Sequence, residues 1–265
     1  MKFNNSIKLA LGLLITLTLL ACYSLVSPYT YTDVNLQDLL QSPSLSHPLG
    51  TDELGRDILT RLSYAVRTSL FVGAFVMTIS VTTGCLIGCL SGYIGGKFDL
   101  LTMRITDIFL AFPGILLAIA FSALVGNGFS SVIIALCLFS WVGFALMSRT
   151  QVLDIKNKPY IESAQMSGVS KRRIILRHLL PNIATIIIVE SCFVFSGAII
   201  SEAGLSFLGI GIQAPHASLG IMLKQGMAYM LVSPHMILVP SLTLLTIVLM
   251  INLFSDKLTD VIAKH

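Results

Sequence analysis

The sequence predicts an all-α protein that crosses a membrane six times, and three observations predict it. Of 265 residues, 55% are hydrophobic and only 11% are charged, against roughly 25% charged in soluble domains. The apolar residues fall into runs of about the 20 residues that a spanning helix needs. The basic residues gather between those runs rather than spreading along the chain. In lipid only helices and closed barrels satisfy the backbone, and these runs are too long and too evenly apolar for barrel strands.

The first run, Leu9 to Val26, follows Lys2 and Lys8. Its Leu19-Leu20-Ala21-Cys22 resembles a lipoprotein cleavage site, so a cleaved leader is the alternative to the retained span expected here. Tyr23 to Arg67 then lies outside the cell. Pro28, Pro43, Pro48 and Gly50 make its first part loop-like, while Asp52 to Arg67 has a helical pattern suited to lying along the outer surface. The second span runs from about Thr68 to Ile94. The third runs from about Leu100 to Val125, loosened by Pro113. The fourth covers Ser130 to Ser148, the fifth Ile183 to Ile200 and the sixth Met236 to Phe254. The chain thus divides into a tail and first helix over 1–26, an extracytoplasmic segment over 27–67 and a core of five spans over 68–265.

Basic residues orient the spans. Lys2, Lys8, Lys97, Arg149, Lys156, Lys158, Lys171, Arg172, Arg173, Arg177, Lys257 and Lys264 fall on one side. Only Arg56, Arg61, Arg67 and Lys224 fall on the other. The positive-inside rule then places both termini in the cytoplasm. The net charge of +4 needs no nucleic-acid partner.

Cys22, Cys85, Cys89, Cys137 and Cys192 all sit in apolar runs, where cysteine serves as a small apolar residue. No disulfide framework is expected. Cys85 and Cys89 share one helix face, and a soft-metal pair there is the minor alternative to packing. His47, His216 and His235 fall in outer segments, with no spacing that marks a metal site. Catalytic motifs are missing too. Gly95-Gly96-Lys97 lacks the rest of a phosphate loop, and neither H-E-x-x-H nor G-x-S-x-G occurs. Gly209-Ile210-Gly211 lacks the third glycine of a dinucleotide loop.

The polar, basic island from Tyr160 to Pro181 stands out between long uncharged runs. Pro159 suits a first helical turn, and Glu162 would meet the positive end of the helix dipole. Ala164 allows close approach by a partner. Gly168 would end or bend the helix, and Pro181 would open the fifth span. On charge alone, the island is equally a solvated loop.

Glu162-Ser163-Ala164, followed after three residues by Gly168, resembles the EAA motif of permease subunits of ABC importers, with Ser163 where alanine is usual. Ile174 to Asn182 is similar to the tail of that motif in the peptide/nickel group. His47-Pro48-Leu49-Gly50-Thr51-Asp52, with Gly55-Arg56-Asp57 and Arg61-Leu62, resembles the group's N-terminal signature. Glu202 to Gly211 is a third similar block, and the later stretch Ala214 to Gly220 departs from the family at Leu219, where tryptophan is expected. The resemblance implies a type I importer permease fold in the bacterial inner membrane. Residues 160–170 would be the coupling helix, with Glu162, Ser163, Ala164, Gly168, Arg172 and Pro181 serving ATPase coupling. It also implies a second, different permease subunit, two ATP-binding cassette subunits holding ATP and Mg, and an extracytoplasmic solute-binding protein. This chain itself would have no cofactor and no ATPase activity. Nickel, a metal chelate or a short peptide is the expected solute. A proton-driven secondary transporter and a membrane scaffold are the alternatives.

Four charges inside or beside the spans are pathway or gate candidates. Arg104 and Asp107, three apart, can pair on one face. Glu190 lies two turns into the fifth span, where an ionisable group calls for a polar interior or a partner. Glu202 lies at that span's outer end. Gly204, Gly209 and Gly211 after it suit a bent or re-entrant segment.

Overall fold

The computed structural model describes residue 12 and residues 15–262. Those residues are helical, apart from loops and one isolated antiparallel bridge between Thr51 and Asp57. Part of the expected first span, from Leu9, lies outside the described residues. The rest forms helix α1 over 15–23. There follow α2 (Ile58–Ile94), α3 (Gly96–Leu110), α4 (Gly114–Val125), α5 (Phe129–Ile155), α6 (Pro159–Met166), α7 (Lys171–Ile174), a π turn (Ile175–Leu179), α8 (Leu180–Phe207), α9 (Leu219–Ala228) and α10 (His235–Ile262).

Among the described residues, four helical stretches have the length and composition to cross a bilayer: Ile58–Ile94, Phe129–Ile155, Lys171–Phe207 and His235–Asp260. The pair α3 and α4 is a fifth candidate. The expected third span is therefore not one helix. It bends by 83°, because Pro113 has no N–H for the ladder and its ring clashes with the preceding turn. One further expectation is corrected. Asp52 to Arg67 is not a separate surface helix, since its helical part from Ile58 is continuous with the second span. Asp57 caps that helix, accepting from the Thr60 amide at 2.8 Å. Pro181 opens α8 as expected, in its first turn. The stretch Lys171–Phe207 runs through it, with the π turn just before it. One extra residue in that turn accommodates the missing donor and the ring.

Packing along α2 depends on small residues. Gly84, Gly88 and Gly92 lie one turn apart against Trp141, Ala145 and Arg149 of α5. A Cβ on Gly84 or Gly88 would overlap the carbonyl oxygens of Trp141 and Ala145, and one on Gly92 would lie 2.8 Å from that of Arg149. Without a hydrophobic drive between helices in lipid, such close approach supplies the dispersion that holds them together. Gly220 of α9 meets the Ala203 carbonyl of α8 in the same way. Three apolar clusters result. One joins Leu17, Leu62, Ile199, Leu219, Met236 and Ile247. The second joins Val76, Ala118, Val132 and Leu205. The third, at the α6 end, joins Cys89, Phe144, Val152, Ile161, Ile174 and Leu179. The outward faces of the spans keep large apolar groups such as Leu138, Ile188 and Leu245 exposed, as helices in lipid do.

Candidate functional site

The polar island folds into a short helix held by one side chain. Lys158 precedes the helix, Pro159 takes its first turn, and Glu162 sits in that turn. Ile161 is fully buried in the cluster with Ile155, Ile174, Ile175 and Leu179. Gln165 Nε2 reaches the Tyr93 hydroxyl of α2 at 3.4 Å. The helix ends at Met166, and Gly168 reverses the chain at φ +75°. Its N–H bonds the Gln165 carbonyl at 3.0 Å, and the Val169 N–H bonds that of Ala164 at 3.1 Å. A left-handed turn of this kind favours glycine on backbone grounds alone, since no neighbour lies within 4 Å of a Cβ there. Tyr160, Glu162, Ser163 and Met166 are exposed, Met166 at 89%, and Ala164 is half-buried.

The structure thus brings Glu162, Ser163, Ala164 and Gly168 together on α6 and its terminal turn. Arg172 follows, exposed, in α7. Pro181 lies apart, beyond the π turn. Beside α6 is a clamp that sequence reasoning missed. Arg149 of α5 donates to both carboxylate oxygens of Asp99 in α3, from Nε at 2.5 Å and Nη2 at 2.6 Å. Ser91 of α2 donates to the same carboxylate at 2.5 Å, and Lys156 Nζ donates to the Gly92 carbonyl at 3.0 Å. Two opposite charges at the ends of neighbouring spans were the available signal. The glycines four apart in α2 were the signal for the helix packing, and nothing in the pattern marked Ile161.

The four pathway candidates are scattered. Arg104 and Asp107 are exposed on α3, 3.8 Å apart. Glu190 is half-buried on α8, with Oε1 beside Gly143 of α5. Glu202 is fully buried at the far end of α8. It accepts from Ser69 of α2 at 2.8 Å and from Ser206 at 2.9 Å, while Ser206 Oγ accepts from the Ile212 amide at 3.1 Å. Gly209 turns the chain after α8 at φ +81°.

At that far end the N-terminal signature residues also assemble. His47 Nδ1 lies 3.0 Å from Asp57, and Arg56 Nε donates to Asp52 at 2.8 Å. Buried Arg61 bonds Asp52 and, through Nη2 at 3.0 Å, Gln225 of α9. The signature is a buried knot that fastens the segment before α2 onto α9. Of the three histidines expected on the outer side, His47 is in this knot, His235 packs on Gly50 and His216 is exposed.

Residues 84–265 match the family described as the binding-protein-dependent transport system inner membrane component. The chain belongs to this family. It is 43% identical over 238 residues to the glutathione transport system permease protein GsiD of Escherichia coli O1:K1, covering 89% of this chain and 78% of that one. The same figures hold for the protein of that name from Shigella boydii serotype 4. A chain of the MetNI methionine ABC transporter, solved in inward-facing conformations, shares the fold. Its TM-score is 0.60 at 19% identity, over 74% of this chain and 94% of that one. The chain is thus a permease subunit of an ABC importer of the peptide/nickel group, a multi-pass protein of the inner membrane. Family membership leaves no place for the proton-driven or scaffold readings.

Proposed function

We propose that α6 is the coupling helix through which a separate ATPase drives this subunit. The observation that carries the reading is a short helix anchored from beneath by one buried side chain, Ile161, with Tyr160, Glu162, Ser163 and Met166 exposed. Such a helix moves as a unit with the cluster under it, because packed cores shift between discrete arrangements rather than deforming smoothly. Glu162, Ser163, Ala164 and Gly168 shape the contact, and Arg172 extends it.

In this reading the chain has six spans with both termini in the cytoplasm, as its basic residues favour. Its divisions are 1–26, 27–67 and 68–265. It hydrolyses nothing itself. Two ATP-binding cassette subunits hold ATP and Mg, a second and different permease subunit completes the pathway, and a binding protein delivers solute to the outer mouth. The relatives' names favour glutathione or another short peptide over nickel. Glu190, half-buried on α8, lines the pathway. Arg104 and Asp107 serve as a gate contact on the cytoplasmic side, and Glu202 as one at the outer end.

Reconstitution with the partner subunits and binding protein tests this reading. ATP-dependent uptake of glutathione or a dipeptide is expected, and it should be abolished by Gly168→Val with little loss of assembly. Uptake without the ATPase, collapsing with the proton gradient, would refute it.

A further inference from the structure

We infer that the chain binds an anionic phospholipid on its α6 side, with an acyl chain in a groove between α2 and α8 and the phosphate on Arg177. The inference rests on the cytoplasmic placement of α6. The groove has a volume of about 480 Å³ and an apolar wall that includes Cys85 and Leu86 of α2 and Pro181, Ala184, Ile187 and Ile188 of α8. Small Ala184 leaves room on one side, while exposed Leu86 and Ile188 form the rims.

The size of the groove selects its occupant. A helix about 10–12 Å wide, rising 1.5 Å per residue, fills about 140 Å³ per residue. The groove would hold about three such residues, less than one turn. An extended hydrocarbon chain is far slimmer and can lie along it. Lipid tails are as apolar as leucine, so the groove alone does not choose among lipids. The headgroup must choose.

Positions 181, 184 and 188 recur at helical spacing and share one face, and Arg177 lies in the π turn just before them. Pro181 to Ile188 spans about 10 Å, and Arg177 stands about 6 Å further along. One leaflet of the hydrocarbon core is about 15 Å thick, so a chain lying in the groove brings its phosphate to Arg177. Arg173 lies one turn beyond. Both guanidinium groups are exposed, and among the described residues neither has a carboxylate partner. A phosphate held there would sit on the π turn between α7 and α8, one short loop from α6. The bound lipid would thus tie the charged leaflet to the segment that receives the ATPase.

The test uses the whole transporter, extracted from membranes containing phosphatidylglycerol and phosphatidylcholine in equal amounts, with retained lipids counted by native mass spectrometry. Preferential retention of phosphatidylglycerol is expected. Arg177→Gln should lower that retention about five-fold, from the loss of one charge at the surface, and Arg177→Lys should preserve it. Ala184→Phe should fill the groove and expel the lipid. Retention unchanged in both Arg177→Gln and Ala184→Phe would overturn the inference, as would equal retention of the two lipids. So would a photo-crosslinker at position 184 that captures the second permease subunit instead of lipid. Impermeant labelling of Ser170→Cys separates the two claims. Labelling only from the cytoplasmic side, with no lipid difference, overturns the lipid site alone. Labelling from outside overturns the orientation with it.

Discussion

Replacing Glu202 should loosen the far end of the bundle, and the structure sets the size of the effect. The carboxylate is fully buried and takes hydroxyl donors from Ser69 and Ser206. Glu202→Ala removes both acceptors and leaves a cavity. An orphaned buried hydroxyl costs about 1–3 kcal/mol. Either serine can recover part of that by turning to the carbonyl one helical turn back. A net loss of about 2–4 kcal/mol follows, once the cavity is added. Glu202→Gln keeps the shape and an acceptor oxygen, so its loss should stay near 1 kcal/mol. Reversible unfolding in mixed micelles measures both variants. A cycle with Ser69→Ala should give a coupling of about 0.5–3 kcal/mol, the range for residues in one hydrogen-bond network. If Glu202→Ala matched the wild type within 0.5 kcal/mol, or if the cycle were additive, the carboxylate would not be holding α2 to α8 and the reasoning would fail.

Three other perturbations probe the α6 end. Gly168→Val forces a β-branched residue into the left-handed region and should cost about 1–2 kcal/mol locally, uncoupling ATP hydrolysis from uptake. Gly168→Asn should be much milder, and equal uptake defects in the two would remove the backbone explanation. Gly88→Leu sets a side chain against the Ala145 carbonyl and should destabilise by about 1–3 kcal/mol, read as loss of folded protein on heating, whereas unchanged stability would refute the close contact. Arg149→Lys keeps the charge but loses the two-pronged grip on Asp99, because lysine cannot bond a carboxylate as a planar fork. It should lower both stability and uptake, and full activity would show that a point charge suffices.

Four of the expected spans and the island were legible because both rest on one-dimensional signals, apolar run length and the placement of basic charge. The turn at Gly168 was legible for the same reason, as a glycine just past a short helical pattern. Pro113 announced a weak point, but its 83° consequence was not readable. A proline says where the ladder fails, and the neighbouring helices decide how far the chain then turns. Pro181 marked the start of α8, but the π turn before it was not readable, because hydropathy carries no trace of one extra residue in a turn. Asp99 and Arg149 lie 50 residues apart, and Arg61 and Gln225 lie 164 apart. Pairings at such distances follow from tertiary packing. Glu202 was noticed as a charge at a span end, but its burial among serines depends on how close Gly220 lets α9 come.

The unbroken stretch from Lys171 to Phe207 makes a rod of about 55 Å, with the turn to α6 at one tip and Glu202 near the other. No hinge loop interrupts it, so displacement at one tip is not absorbed on the way. A tilt of about 5° about one tip swings the other by about 5 Å, roughly one helical turn. How far that tip moves is then set by where neighbouring helices grip the rod, and the glycine contacts of its partners are its bearings.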